Sequence, residues 1–152
     1  RSRISCSVSS QVYPPALNEI YLIRVPLNNT PTYTLNIGNS FTLSQRMDGI
    51  IVASSTGSTG HSLSLGGPVI DEKSDNFLFT PIGPVSRIPP IVSSSKMAEL
   101  IPSMEAKIII DGQESYVIKG GTHVHVTQHN TNAYFIRFTN RNLRQLHNLG
   151  FT

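Results

Sequence analysis

Short runs that alternate between apolar and polar residues, separated by turn residues, dominate the hydrophobic pattern of this chain. Residues 4–12 set Ile4, Cys6 and Val8 against serines, which predicts a strand with one wet face, ended by the prolines that follow. Residues 123–127 alternate in the same way, and residues 134–138 are predicted as their partner strand. A period of two residues is typical of antiparallel sheets with one exposed face.

Two further segments have the pattern of β-hairpins. Residues 33–37 and 41–43 are separated by Gly-Asn-Ser, and residues 107–110 and 116–118 are separated by a segment that begins with Asp-Gly. Asp-Gly supplies the positive φ that tight turns require, so Asp111 is interpreted as a turn residue.

Continuous apolar runs predict strands that are buried more deeply. Residues 49–53 lack alternation, which is typical of a strand buried on both faces, and residues 20–25 are strongly β-prone and are closed by a proline. Residues 77–82 form another apolar strand, followed by a proline-rich extended crossing. About ten short strands at regular spacing predict a mainly β fold, a sandwich of two sheets in a single domain of residues 1–152.

One helix is predicted near the end of the chain, at residues 142–149. Leu143, Leu146 and Leu149 lie on one stripe, and Gly150 is a typical terminator. A stripe this narrow needs a surface to cover, so the helix is a candidate docking element.

Composition narrows the range of functions. Only 14% of the 152 residues are charged, and the net charge is +3 with the basic residues scattered, which favours a nucleotide ligand over a nucleic acid. Cys6 is the sole cysteine, so no internal disulfide forms, and we expect a reducing, cytoplasmic location. No apolar run is long enough to span a membrane, so no membrane partner is expected.

The most constrained stretch is residues 48–68, DGIIVASSTGSTGHSLSLGGP. Seven of the eleven residues in 54–64 carry hydroxyls, so the backbone is approachable and rich in small donors. Thr56 or Ser58 is a candidate N-cap of a short helix that ends at Gly-Gly-Pro. The free N–H groups at such a helix start would be aimed at a ligand.

This stretch resembles the signature segment of the NAD kinases, with Gly60 and His61 where that family usually has Ala and Tyr. The resemblance extends to Ala-Leu-Asn-Glu at residues 16–19, which precedes a strand in the family, and to the Asp-Gly turn. It also covers the Pro-Ile-x-Pro core at residues 81–84, but Gly83 and Val85 stand where Cys and His are common. The resemblance covers only the second half of a NAD kinase, and it implies a C-terminal β-sandwich domain of complex topology.

The resemblance implies an activity that this chain does not complete by itself. The family transfers a phosphoryl group from ATP, or polyphosphate in some members, to the 2′-hydroxyl of the adenosine ribose of NAD, giving NADP. Its catalytic base belongs to a Gly-Gly-Asp-Gly-Thr motif in an N-terminal α/β domain, and these 152 residues lack that motif. We therefore expect no catalytic residue in this chain and no turnover by it alone.

The same resemblance implies partners and a cofactor. Mg²⁺ or another divalent metal accompanies ATP in the family, with no metal site expected in this chain. The family also implies a homodimer or homotetramer and an N-terminal domain that completes the site.

The resemblance further implies a set of residues that bind NAD: Asn18, Glu19, Asp48, Thr56, Ser58, Thr59, Gly60, His61 and Ser64. Asn18 and Glu19 would grip ribose hydroxyls, since an amide and a carboxylate together donate to and accept from vicinal OH groups. Asp48 would reach the nucleotide of a neighbouring subunit. The residues from Thr56 to Gly60 would meet the adenine, and the flat ring of His61 could stack on it.

Two other classes of function remain open. His123 and His125 share one strand face and could form a metal site in a β module, although no carboxylate follows them closely in the sequence. A non-catalytic β-sandwich that binds partners through its surface is also possible. A serine hydrolase is disfavoured because no Gly-x-Ser-x-Gly elbow is present, and a P-loop is absent as well.

Overall fold

The computed structural model describes residues 1–138, 146, 147, 149 and 150. Within residues 1–138 the chain forms twelve β-strands, one 3₁₀ turn and one short α-helix. In chain order they are β1 (Ile4–Val8), β2 (Gln11–Val12), β3 (Glu19–Arg24), β4 (Thr32–Ile37), β5 (Phe41–Arg46), β6 (Gly49–Ala53), the 3₁₀ turn (Gly57–Thr59), α1 (His61–Ser64), β7 (Phe77–Ile82), β8 (Ile91–Ser93), β9 (Met97–Pro102), β10 (Ala106–Ile110), β11 (Glu114–Ile118) and β12 (Val124–Gln128).

The strands form two sheets of six, in the orders β2-β1-β12-β9-β4-β5 and β11-β10-β3-β6-β7-β8. Every neighbouring pair is antiparallel. The chain passes repeatedly from one sheet to the other, so half of the neighbouring pairs within the sheets join strands that are not consecutive in sequence. The predicted mainly β, two-sheet sandwich of complex topology is confirmed.

Apolar side chains from both sheets meet in one core. β4 buries Tyr33, Leu35 and Ile37 at alternate positions, and the same cluster contains Ile20 and Leu22 of β3. This arrangement follows from the period of a strand, which sends every second side chain to the inner face. The alternation in the sequence therefore determined which residues lie between the sheets.

Strand β6 is the exception, because all five of its residues are buried. Ile50 and Val52 belong to the core between the sheets, whereas Ile51 and Ala53 join a second cluster on the opposite face. Ile70, from the segment after α1, packs against this second cluster. The prediction of a strand buried on both faces is confirmed.

Both predicted hairpins are confirmed, since β4 pairs with β5 and β10 pairs with β11. In the second hairpin the turn has positive φ at Asp111 (48°) and at the glycine after it (69°). Residues 4–12, predicted as one strand, instead form a small hairpin of β1 and β2 with Ser9 in the turn at φ 52°.

The strand predicted at residues 134–138 is wrong, because these residues are irregular and exposed. β12, its expected partner, is hydrogen-bonded to β1 on one side and β9 on the other. No edge of β12 is left for another strand, so an apolar, β-prone segment cannot add to the sheet there. Of the helix predicted at residues 142–149, only residues 146, 147 and 149 are described, and residues 146 and 147 are helical.

The short helix predicted after the hydroxyl-rich loop is present as the 3₁₀ turn followed by the four residues of α1. Neither Thr56 nor Ser58 acts as its side-chain cap, and Gly60 precedes α1 instead. The Ser58 hydroxyl is already bonded to the backbone of Ser55 and Ile70. No helix in the described part of the chain is long and apolar enough to cross a bilayer.

Gly49 at the start of β6 offers a test of how tightly the second sheet is packed. A Cβ at this position would lie 2.3 Å from the Leu22 carbonyl oxygen and 3.1 Å from the Ile23 Cα, both backbone atoms of β3. We expect Gly49→Ala to lower the free energy of unfolding by more than about 2 kcal/mol in urea denaturation.

Gly66→Ala is the matched control, because its Cβ would meet nothing within 4 Å, although φ is +84°. That substitution should cost only about 1 kcal/mol, from the left-handed backbone conformation. Equal urea midpoints for the two variants would contradict close packing at Gly49.

Candidate functional site

The segment before β3 and the loop after β6 are joined by direct hydrogen bonds. β3 pairs with β6 so that Glu19 is opposite Ala53, and the Ser54 N–H then donates to the Asn18 carbonyl at 2.8 Å. The Ser54 hydroxyl donates to the Leu17 carbonyl at 2.7 Å and accepts the Gly57 N–H at 3.1 Å. The structure thus brings together the two segments in which the sequence predicted binding residues.

Gly57 lies directly against the backbone of Asn18. A Cβ on Gly57 would come within 2.1 Å of the Asn18 carbonyl oxygen, so no side chain fits there. Glycine is therefore required at this position because the backbone of Asn18 approaches too closely to leave room for a side chain.

Glu19 is a buried acid at the junction of the two segments. The residue is 8% exposed, and its Oε2 is buried without a hydrogen-bond partner. Burial raises the pKa of the Glu19 carboxyl to about 7, and the negative charge of Asp111 adds to the rise. A buried polar atom without a partner is costly, so Oε2 is suited to accept a hydrogen bond from a ligand.

Gly60 lies over this carboxyl, since a Cβ added there would be 2.9 Å from Glu19 Oε2. Gly60 is itself exposed. The Glu19 carboxyl therefore lies directly beneath an exposed loop residue that has no side chain.

The hydroxyls of the loop mostly fold the loop itself. Ser58 is fully buried, where its hydroxyl donates to the Ser55 carbonyl at 2.8 Å and accepts the Ile70 N–H at 3.0 Å. The Thr59 hydroxyl donates to the Thr56 carbonyl at 3.4 Å. The Thr56 hydroxyl accepts a hydrogen bond from the Arg1 guanidinium at 3.2 Å. These bonds fix the path of the backbone that surrounds Asn18 and Glu19.

The remaining predicted residues of the loop, His61 and Ser64, are exposed on α1. The His61 ring lies beside the Tyr21 ring, with centroids 5.6 Å apart and planes tilted by 30°. Tyr21 follows Glu19 by two residues on β3, so His61 stays on the same side of the sheet as the Glu19 carboxyl. Tyr21 was not anticipated from the sequence as part of this surface.

Asp48 lies apart from the other predicted residues. It precedes β6, at the opposite end from the loop, and five strand residues separate the two by about 17 Å. Its carboxylate forms an ion pair with Arg24, with Oδ1 2.7 Å from Nε. Within one copy of the chain, Asp48 therefore does not share a site with Asn18 and Glu19.

Sequence reasoning missed two side chains that hold together the segments of the candidate site. Asp111 was interpreted only as a turn residue, but its carboxylate accepts the N–H groups of Leu17, Asn18 and Glu19. Ser62 is buried, and its hydroxyl pairs with that of Thr80 at 2.7 Å, which attaches α1 to β7. The partners are far away in sequence, so no local pattern could have identified them.

The two histidines considered as metal ligands, His123 and His125, face Glu99 on the neighbouring strand β9. The His123 Nδ1 is 2.7 Å from Glu99 Oε1, and the His125 Nδ1 is 3.9 Å from it. Hydrogen bonds from His123 and Asn36 lower the pKa of Glu99. Among the described residues no group of three or more His, Cys, Asp or Glu side chains has an arrangement that could hold a metal ion.

Comparison with known proteins gives concordant results. The family model of the ATP-NAD kinase C-terminal domain matches residues 17–138. The NAD kinase of Chlorobium phaeobacteroides strain BS1 is 40% identical over 87 residues, which are 56% of this chain and 30% of that protein. The NAD kinase of Chloroherpeton thalassium is 43% identical over 68 residues, 45% of this chain and 24% of that protein. The chain spans about a third or less of the length of these curated relatives.

Solved structures agree in fold. The crystal structure of an Archaeoglobus fulgidus NAD kinase in complex with ATP superposes with a TM-score of 0.81 at 30% identity, covering 98% of this chain and 57% of that chain. The yeast NADH kinase complexed with NADH gives a TM-score of 0.77 at 26% identity, covering 85% of this chain and 40% of that chain. With a family match over most of its length and two sheets of the same architecture, the chain belongs to the family of ATP-NAD kinase C-terminal domains.

Proposed function

We propose that this chain is the NAD-binding part of an enzyme that transfers a phosphoryl group from ATP, or from polyphosphate, to the 2′-hydroxyl of the adenosine ribose of NAD. The observation that carries the proposal is the buried Glu19 carboxyl, whose Oε2 has no partner and faces the glycine of the adjoining loop. The relatives are NAD kinases, and the two solved neighbours are described with ATP and with NADH.

In this proposal the ribose of NAD binds at Asn18 and Glu19. Hydroxyl groups of the sugar donate to the Glu19 carboxylate and so supply the partner that Oε2 lacks, while the amide of Asn18 can both donate and accept. The backbone of both residues is held by Ser54 and Asp111, so little ordering is needed on binding.

The loop then surrounds the adenine. Thr56, Thr59 and Gly60 offer small side chains and backbone groups, and His61 offers a ring that can stack. Ser58 contributes through its backbone and by fixing the loop, since its hydroxyl is buried and engaged. Ser64, exposed one helical turn beyond Gly60, completes the rim.

In this proposal Asp48 contacts the nucleotide that is bound by a neighbouring subunit. Its distance from Asn18 and Glu19 within one chain supports contact with a nucleotide held by a second subunit of a homodimer or homotetramer. Its ion pair with Arg24 leaves the side chain about a third exposed, so a carboxylate oxygen remains available to accept from an NH₂ group.

Phosphoryl transfer depends on positioning and on charge stabilisation, together with a base for the attacking hydroxyl. We assign no catalytic residue to this chain, and we infer that the base lies in sequence beyond these 152 residues, since the Gly-Gly-Asp-Gly-Thr motif is absent from them. The 152-residue chain alone should therefore show no kinase turnover. A divalent metal such as Mg²⁺ would accompany the ATP phosphates, and the described residues contain no group of three or more His, Cys, Asp or Glu side chains that could hold it.

The ribose contacts are tested by substituting Asn18. Asn18→Ala in the longest natural protein that contains this chain should weaken NAD binding by about tenfold or more, because hydrogen bonds to the sugar are lost. Isothermal titration calorimetry measures the effect. Glu114→Gln, on the exposed edge strand β11, is the control and should leave the affinity unchanged. Equal affinities for wild type and Asn18→Ala would count against the assignment.

The Glu19 carboxyl also predicts a pH dependence of NAD binding. Its pKa is raised to about 7, and only the ionised form accepts hydrogen bonds from hydroxyls at both oxygens. NAD affinity should therefore fall as the pH drops through about 7, approaching a tenfold loss per pH unit below it. Calorimetry from about pH 5.5 to about pH 8.5, on both sides of this pKa, measures the slope of NAD affinity against pH.

Glu19→Gln identifies the group that titrates. The glutamine side chain keeps one acceptor oxygen but has no proton to lose in this range, so its affinity should be lower at high pH and almost independent of pH. If the variant retains the full slope of the wild type, a group other than Glu19 is responsible.

A further inference from the structure

Asp111 is in the turn between β10 and β11, yet its carboxylate reaches the segment before β3. Oδ2 accepts the Leu17 N–H at 2.7 Å, and Oδ1 accepts the Asn18 N–H at 2.8 Å and the Glu19 N–H at 3.0 Å. The Asp111 N–H in turn donates to the Glu19 carbonyl at 3.0 Å. Hydrogen bonds from N–H groups to an ionised carboxylate are about twice as strong as neutral ones, so three of them hold this backbone firmly.

These bonds determine where the two proposed ribose-binding side chains point. Ser54 binds the carbonyl oxygens of Leu17 and Asn18 on the side of β6, and Asp111 binds the N–H groups on the side of β10. The backbone of Asn18 is thus held from both sides. Asp111 itself has φ +48°, a conformation that is unfavourable for most residues and that persists where surrounding contacts impose it.

The charge of Asp111 acts on Glu19 as well. The titratable groups around the Glu19 carboxyl are Asp111 on the β10–β11 turn, Tyr21 on the same strand, and His61 beside Tyr21. Within the described residues, no lysine or arginine forms an ion pair with Glu19. Asp111 is therefore the charged neighbour that opposes ionisation of Glu19, in addition to burial.

We propose that Asp111 is a positioning residue of the dinucleotide site, which holds Asn18 and Glu19 in their binding geometry and couples ligand binding to loss of the Glu19 proton. The part of this inference that concerns NAD binding rests on the proposed function. When a ribose hydroxyl donates to the Glu19 carboxylate, the proton of the neutral acid passes to solvent, and no covalent bond changes. Asp111 does not touch the ligand itself.

Asp111→Asn is the informative substitution. Asparagine has the same shape and tolerates positive φ, so the turn should be kept. Its amide has one acceptor oxygen and an NH₂ group that cannot accept, so at least one of the three N–H groups loses its partner. Glu105→Gln is the matched control, because it removes one negative charge at the far end of β10, about 20 Å along the strand.

The first measurement needs no ligand and uses NMR of the 152-residue chain. In the wild type, the amides of Leu17, Asn18 and Glu19 should exchange slowly with solvent, and the Glu19 carboxyl should titrate at about 7. In Asp111→Asn, at least one of these amides should exchange about tenfold faster or more, and Glu19 should titrate about half a pH unit or more lower. Glu105→Gln should match the wild type in both.

The second measurement is NAD binding by calorimetry in the longest natural protein that contains the chain. Near pH 8.5, above the Glu19 pKa of about 7, Glu19 is ionised in both proteins, and Asp111→Asn should weaken NAD binding by about tenfold or more because positioning is lost. Near pH 6, about one unit below that pKa, the ratio of the two dissociation constants should be smaller, because the variant ionises Glu19 more readily. A role confined to stability would give the same ratio at both pH values.

The outcomes separate this inference from the proposed function. Free amide exchange at residues 17–19 in the wild type would overturn the positioning role without any variant, and unchanged exchange and Glu19 titration in Asp111→Asn would overturn it as well. A pH-independent affinity ratio would overturn the coupling to the Glu19 proton. If the wild type does not bind NAD, the proposed function fails, and so does the claim that Asp111 affects NAD binding. The NMR results would still decide whether Asp111 holds the backbone of Asn18 and Glu19 and raises the pKa of Glu19.

Discussion

The pairing of β3 with β6 is the constraint on which the site depends. It sets Glu19 opposite Ala53, so that the segment before one strand and the loop after the other leave the sheet side by side. Because β6 is buried on both faces, its register is determined by packing against the opposite sheet and against Ile70. A slip of one residue would reverse every side chain of β6 and separate Ser54 from Asn18.

Glu19 shows how the candidate site differs from the core around it. The core satisfies its groups internally, whereas the Glu19 carboxyl is buried with one oxygen unpaired and a second carboxylate nearby. Such an arrangement costs stability. It persists because hydrogen bonds with Asp111 and Ser54, and the close packing of Gly57, hold the backbone of residues 17–19 in place. The same features reduce the ordering that a ligand must impose when it binds.

The loop of residues 54–64 contains buried residues that hold its backbone and exposed residues at its surface, and its composition does not tell the two apart. Ser54 and Ser58 are buried and use their hydroxyls to hold the backbone, as does Ser62 on α1. Gly60 and His61 are exposed, and Gly60 lies over the Glu19 carboxyl. The buried hydroxyl residues are therefore required here to build a compact loop.

Much of the architecture follows from the sequence alone, because strand periodicity, the buried run of β6 and the Asp-Gly turn are local properties. The segments that form the site could also be named from residues 16–19 and 48–68. What only the tertiary structure decided is which groups meet: that Asp111 binds amides more than ninety positions earlier, that Ser58 is internal, and that Asp48 lies at the far end of β6. Residues 134–138 show the same limit, since they have the composition of a strand but β12 offers them no free edge. Contacts between distant segments are set by the order of strands in the sheets, and no short stretch of sequence carries that order.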